Sequence, residues 1–179
     1  MIIHENIFDK KWTNEIASSL IKCNWKANNV AGRKTWPYYE TGSHRLFGTS
    51  FFFRKSEDYI EYNENLNLSI VLINAFDHIK KISNKNMRLE MIDANLQFKE
   101  MDGSMHIDGR ENQIAYILML CNEEINDIGG EFFYKPKNRK VKFKHGRLIE
   151  IPAHHEHYGL SFKKPNIARM SIKWLGTIR

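Results

Sequence analysis

His106 and Asp108 form an H-x-D pair just after a turn signal, Asp102-Gly103, and a second polar cluster, His154-His155-Glu156-His157, follows later in the chain. Two imidazoles and one carboxylate on a β scaffold make a facial triad, which grips one side of Fe(II) and leaves the other open to a chelating cosubstrate and dioxygen. The third ligand has to arrive from a distant strand. His157, 51 residues after His106, has chain enough to cross a sheet several times in between. Within the cluster, period-two alternation groups His155 with His157 and His154 with Glu156, so His155 is a rival third ligand and His154-x-Glu156 a rival pair. The step from Pro152 and the Tyr-Gly that follows favour His157. Turn capping or solvent exposure is the alternative for every one of these residues.

Three more features need placing. Gly129-Gly130 reads as a tight turn, with Glu131 structural. Lys135 to Arg147 carries seven Lys/Arg and no acid. If it is a strand, Lys140, Lys142 and Lys144 share one face. That face suits nucleic-acid phosphates or an acidic protein, but a solvated edge hairpin guarded by lysines is the reading we favour. Arg169 lies in the strand-like ARMSIKW, 12 residues after His157.

The elements that must position these groups change character at about residue 87. Before it, Phe8 to Cys23 has apolar residues at helical spacing with Asp9 as a cap. Residues 28–55 read as loops with a short strand at Phe51 to Phe53. Ser56 to Ser83 reads as one long amphipathic helix opened by Ser56, Glu57 and Asp58. After it come candidate strands at Arg88–Lys99, Asn112–Cys121, Glu131–Tyr134, Val141–Lys144, Leu148–Ile151, His157–Phe162 and Ile167–Leu175. Both parities of 112–121 are apolar, which suits a strand buried on both faces under a helical cover. The expected fold is mainly β with N-terminal helices. It is a single domain in which 1–86 is helical and loop-rich support and 87–179 is a double-sheet jelly-roll core covered by helices on one face.

The order H-x-D, buried strand ending in Asn122, GGE, G-x-L-x-x-x-P, His, then Arg before a final S-I-x-W strand resembles the Fe(II)/2-oxoglutarate-dependent dioxygenases, and within them the prolyl 4-hydroxylase-like branch. The likeness spans about Arg88 to Trp174. It implies a double-stranded β-helix, with His106, Asp108 and His157 as iron ligands. Arg169 would hold the distal carboxylate of 2-oxoglutarate, a task that suits its bidentate fork. It also implies Fe(II) as metal, 2-oxoglutarate and O2 as cosubstrates, ascorbate as an optional addition, and hydroxylation of an unactivated C–H bond in a prolyl residue of a peptide or protein, with succinate and CO2 as co-products. Phe98 and Leu120 stand where that branch usually has tyrosines, so the second cosubstrate contact must come from elsewhere. Tyr116 is the candidate, with Asn95 and Gln97 as further polar contacts. Two rival functions remain: oxidative demethylation of alkylated nucleic acid by the same iron chemistry, and a jelly-roll binding module without turnover.

At 179 residues, 42% hydrophobic and 27% charged, the chain is a folded protein and not a disordered one. No apolar run approaches the roughly 20 residues of a membrane helix, and MIIHENIFDKKW lacks the apolar stretch of a secretory leader. Two cysteines, Cys23 and Cys121, do not make a disulfide framework or a zinc knuckle, so a cytoplasmic setting is expected. The net charge of +6 is compatible with an anionic substrate.

Overall fold

The computed structural model describes residues 1–27, 46–62, 65–123 and 129–179. Period-two patterning in the second half produces long antiparallel strands: β4 (Met87–Gln97), β5 (Gln113–Cys121), β8 (Leu148–Pro152) and β10 (Arg169–Ile178). With β1 (Ile2–His4), β2 (Phe47–Arg54) and β3 (Ile60–Tyr62) they form a seven-stranded sheet in the order β1-β8-β5-β10-β4-β2-β3. A smaller sheet, β7-β6-β9, holds β6 (Phe132–Tyr134), β7 (Arg139–Val141) and β9 (His157–Gly159). The two sheets form the jelly roll. The N-terminal half therefore contributes three strands to the main sheet as well as helices.

β5 is buried on both faces, as its composition requires. Tyr116, Leu118 and Leu120 join Leu20, Leu72, Phe76, Ile92, Ile172 and Trp174 in the core beneath the helices. Ala115, Ile117 and Met119 face Phe132, Tyr134, Val141, Ile149 and Ile151 between the sheets. The cover is α1 (Lys10–Leu20) and α2 (Leu66–Ser83). Asp9 caps α1 by accepting from the Trp12 amide at 2.7 Å. Trp174 ties β10 to α2 through its indole N–H and the Leu72 carbonyl, at 2.8 Å.

Three expectations need correcting. The long helix does not open at Ser56. Residues 55–59 form the turn of the β2–β3 hairpin, closed by Lys55 N donating to Tyr59 O, and α2 begins after Asn65, whose side chain caps the Leu68 amide at 3.1 Å. A serine followed by acids is a turn signal as well as a helix-start signal, and strand pairing chose the turn. β2 is eight residues long, not a short strand at 51–53. The expected loop over 28–45 lies outside the described residues. The basic stretch supplies only Arg139–Val141 to a strand, after a 3₁₀ turn at Lys135–Lys137, so Lys140, Lys142 and Lys144 do not form one strand face.

Candidate metal centre

Backbone pairing assembles the site. His106 N donates to His157 O at 3.1 Å and His157 N to His106 O at 3.0 Å, an antiparallel bridge that sets the two rings side by side, centroids 4.5 Å apart. Asp108 N and Gly109 N both donate to Ala153 O, at 2.8 and 3.0 Å, which fixes the carboxylate beside them. One ligand atom from each of His106, Asp108 and His157 lies within 4.8 Å of the others.

The rings are also oriented. His106 Nδ1 meets the Ser104 carbonyl at 2.7 Å, and His157 Nδ1 meets its His155 carbonyl at 2.9 Å. A carbonyl only accepts, so each Nδ1 carries the proton and each neutral ring turns its Nε2 lone pair inward. Both Nε2 atoms face Asp108, that of His157 at 3.2 Å from Oδ2 and that of His106 at 3.6 Å from Oδ1. Asp108 Oδ2 is buried and has no hydrogen-bond donor among the described residues. Three acceptors converging without a donor is an arrangement a cation resolves, and imidazoles locked from behind by carbonyls are the usual support for metal-binding histidines. Burial works against the Asp108 carboxylate, but the interactions led by the Lys173 ammonium outweigh it and hold its pKa well below the ordinary value. Phe132 stacks on His157 at 5.3 Å and closes the ring's other side.

The rival ligands lie elsewhere. Residues 153–156 form a turn, so strand alternation does not extend through them. His155 Nδ1 bonds the Tyr134 hydroxyl, and Glu156 pairs with Lys135. His154 stacks edge-on against His155.

Arg169 opens β10 on the face between the sheets, opposite Gln97 of β4 and Cys121 of β5. It is 2% exposed. Its NH1 donates to Gln97 Oε1 at 2.6 Å and its Nε to Gly130 O at 3.1 Å, while Gln97 Nε2 is held by the carbonyls of Met101 and Gly159. No carboxylate among the described residues lies within ion-pair distance of it. Burial, only partly offset by the fields of Asp102 and Glu131, pulls its pKa down to about 10. A buried guanidinium that has only neutral partners is a site awaiting an anion.

Two glycines shape this corner. Gly130 has φ +80, and a Cβ there would strike the Phe162 ring at 2.3 Å, so only glycine brings this carbonyl onto Arg169. A Cβ on Gly159 would lie 2.9–3.1 Å from the Arg169 guanidinium. Gly159→Ala is therefore expected to displace the fork and to weaken its hold on a carboxylate by the equivalent of about 1–3 kcal/mol of overpacking. Circular dichroism should be unchanged, and calorimetric titration checks the affinity.

Asn95 shares the Arg169 face, opposite Ser171. Tyr116 does not, and this overturns its candidacy. It pairs with Trp174, on the opposite parity of β10, and points into the helix-covered core with its hydroxyl 3.9 Å from Met87 Sδ. Burial pushes its pKa up. Tyr116→Phe is expected to leave the binding of a carboxylate at Arg169 unchanged, and a tenfold or greater loss of affinity would restore Tyr116 to the site.

Sequence reasoning passed over Lys173, which donates to Asp108 Oδ1 at 2.8 Å, and its neighbour Asp93. Their signal was parity: Arg169, Ser171 and Lys173 alternate, so a lysine falls on the inward face. The basic stretch is partly neutralised. Lys144 and Arg147 both bond Glu5, and Lys135 pairs with Glu156. A cavity of about 690 Å³ between α1 and the turn at 143–146 contains neither the triad nor Arg169.

No family model and no curated protein sequence matches the chain. Solved structures do. A 2OG-Fe(II) oxygenase family oxidoreductase from Burkholderia pseudomallei superposes with a TM-score of 0.74 at 14% identity, over 98% of this chain and 84% of that one. The chain has the fold of the 2-oxoglutarate–Fe(II) oxygenases. A Trichoplax adhaerens prolyl hydroxylase, in complex with a hypoxia inducible factor peptide fragment, gives 0.62 at 14% identity over 99% and 83% of the two chains. HygX from Streptomyces hygroscopicus, with nickel and 2-oxoglutarate bound, gives 0.61 at 9% over 98% and 82%. In this oxygenase fold, the triad and Arg169 both lie on segments facing the space between the two sheets.

Proposed function

We propose that this chain is an Fe(II)/2-oxoglutarate-dependent dioxygenase that hydroxylates an unactivated C–H bond, with a prolyl residue of a peptide or protein as the substrate. The observation that carries the reading is the pairing of two unmet demands in one inter-sheet space. Three inward ligand atoms, the two Nε2 and Asp108 Oδ2, converge without a donor among the described residues, and one buried guanidinium meets no carboxylate at ion-pair distance among them. A divalent metal chelated by a dicarboxylic keto acid answers both.

In this reading His106 Nε2, His157 Nε2 and Asp108 Oδ2 hold the metal. Arg169 holds the distal carboxylate, with Gln97 and Gly130 fixing its fork and Asn95 contributing a polar contact between. Fe(II) with 2-oxoglutarate and dioxygen supplies the oxidising chemistry when bound: the keto acid gives succinate and CO2, one oxygen atom entering succinate and the other the C–H bond. The protein's own part is placement and exclusion of water, with Phe132 covering His157. No general base is needed for this chemistry. Ile107, between the two ligands of the H-x-D pair, is 51% exposed and presents an apolar contact to whatever approaches the rim. Support for a prolyl peptide comes from the Trichoplax neighbour, whose structure contains a peptide fragment.

The test is anaerobic loading with Fe(II), then 2-oxoglutarate and oxygen over a panel of proline-containing peptides. Succinate together with a peptide that gains one oxygen atom on proline is the expected result. Succinate coupled only to other substrates would remove the prolyl assignment. Neither succinate nor metal binding would remove the oxygenase.

A further inference from the structure

Lys173 occupies the inward face of β10 four residues beyond Arg169, with Asp93 of β4 as its register partner. Its ammonium donates to Asp108 Oδ1 at 2.8 Å and lies 3.8 Å from Asp93 Oδ2, and its side chain is only 18% exposed. Ser50 of β2, opposite Asp93 in the sheet, in turn bonds Asp93. Lysine is rarely turned into a jelly roll, because desolvating an ammonium is costly unless it is paired. Here burial opposes the charge, and Asp108 and Asp93 together more than restore it.

The consequence falls on Asp108. A carboxylate can rotate to offer either oxygen, or both, to a cation. This one has its oxygens assigned: Oδ1 to the ammonium, Oδ2 toward His157 Nε2. We propose that Lys173 is a positioning residue that reserves Oδ1 of Asp108, so that the carboxylate offers a divalent cation one oxygen only, while Asp93 balances the charge of the ammonium. The charge count agrees. Asp93, Lys173 and Asp108 sum to a single negative charge beside two neutral imidazoles, as a lone aspartate would. Without Asp93 the ammonium would cancel the ligand's charge and weaken the site's hold on a dication.

This inference rests on reading the triad as a metal site, and its test separates the two. Co(II) is titrated into the metal-free chain and followed by absorption, for wild type, Lys173→Arg and the double variant Lys173→Met/Asp93→Asn. The double variant removes one charge of each sign, so its buried region stays balanced and its metal-free melting midpoint is expected close to wild type. Its Co(II) affinity should fall about 10–100-fold, the usual loss for a supporting partner of a metal ligand, and its absorption spectrum should change as Oδ1 becomes free to coordinate. Lys173→Arg keeps donor and charge and should retain the wild-type spectrum. Wild-type affinity and spectrum in the double variant would overturn the proposal, as would an equal loss in Lys173→Arg, which would reduce Lys173 to a packing residue. Failure of the wild-type chain to bind Co(II) would overturn the metal-site reading and this inference with it.

Discussion

Replacing Asp108 by asparagine is expected to abolish Co(II) and Fe(II) binding, and succinate formation with it, while the chain still folds. The amide conserves shape but replaces the only anionic ligand with a neutral group. The loss should therefore exceed the roughly 10–100-fold that follows removal of a mere supporting partner. Lys173 keeps Asp93 as a counter-charge, so the β scaffold survives with a lowered melting midpoint. Calorimetric titration with Co(II) checks the first claim and circular dichroism the second. The same carboxylate gives an acid signature in the metal-free protein. Its folded pKa is depressed, so its contribution to stability is complete above the unfolded carboxylate value of about 4 and disappears as the pH falls through the folded value. In Asp108→Asn this acid-side loss should be smaller. Micromolar Co(II) affinity in Asp108→Asn would place the metal elsewhere.

Arg169→Met is expected to remove binding of 2-oxoglutarate while leaving Co(II) affinity near wild type. Removing one partner of a buried, hydrogen-bonded charge pair costs about 2–5 kcal/mol, or roughly 30-fold to several thousand-fold in affinity. The readout is thermal. A ligand at a hundred times its Kd stabilises the wild-type fold by about 2.7 kcal/mol, and this shift should vanish in the variant. The wild-type effect should also depend on pH. The guanidinium is charged below its lowered pKa of about 10, so affinity for the dicarboxylate should hold across neutral pH and fall as the pH rises through that value. A full ligand-induced shift in Arg169→Met would mean that the anion is held by other groups.

The triad was legible because its chemistry is carried by residue type and order: an H-x-D pair, a distant histidine, an arginine beyond it. The helix of residues 10–20 and the doubly buried β5 were legible from periodicity alone. Tyr116 was not, and the reason is instructive. When both parities of a strand are apolar, pattern cannot say which face meets the other sheet, and the packing of α1 and α2 decides it. His155 stood as a rival to His157 only because alternation was carried through a turn. Lys173 and Asp93 were missed because each is an ordinary residue within its strand, and only the register of β10 against β4 brings them to Asp108. Ser56 to Asp58 shows the limit of local signals, which tertiary pairing overrode.

The paired backbone bonds between His106 and His157 have a mechanical consequence. They join the ends of a 51-residue excursion that contains β5, β6, β7 and β8. A cation gripped by both imidazoles would act as a removable cross-link at its neck, much as a disulfide shortens the unfolded chain's reach. Loading the ion would then brace half of the barrel against opening, and the supply of metal would govern how long the fold endures as well as whether it works.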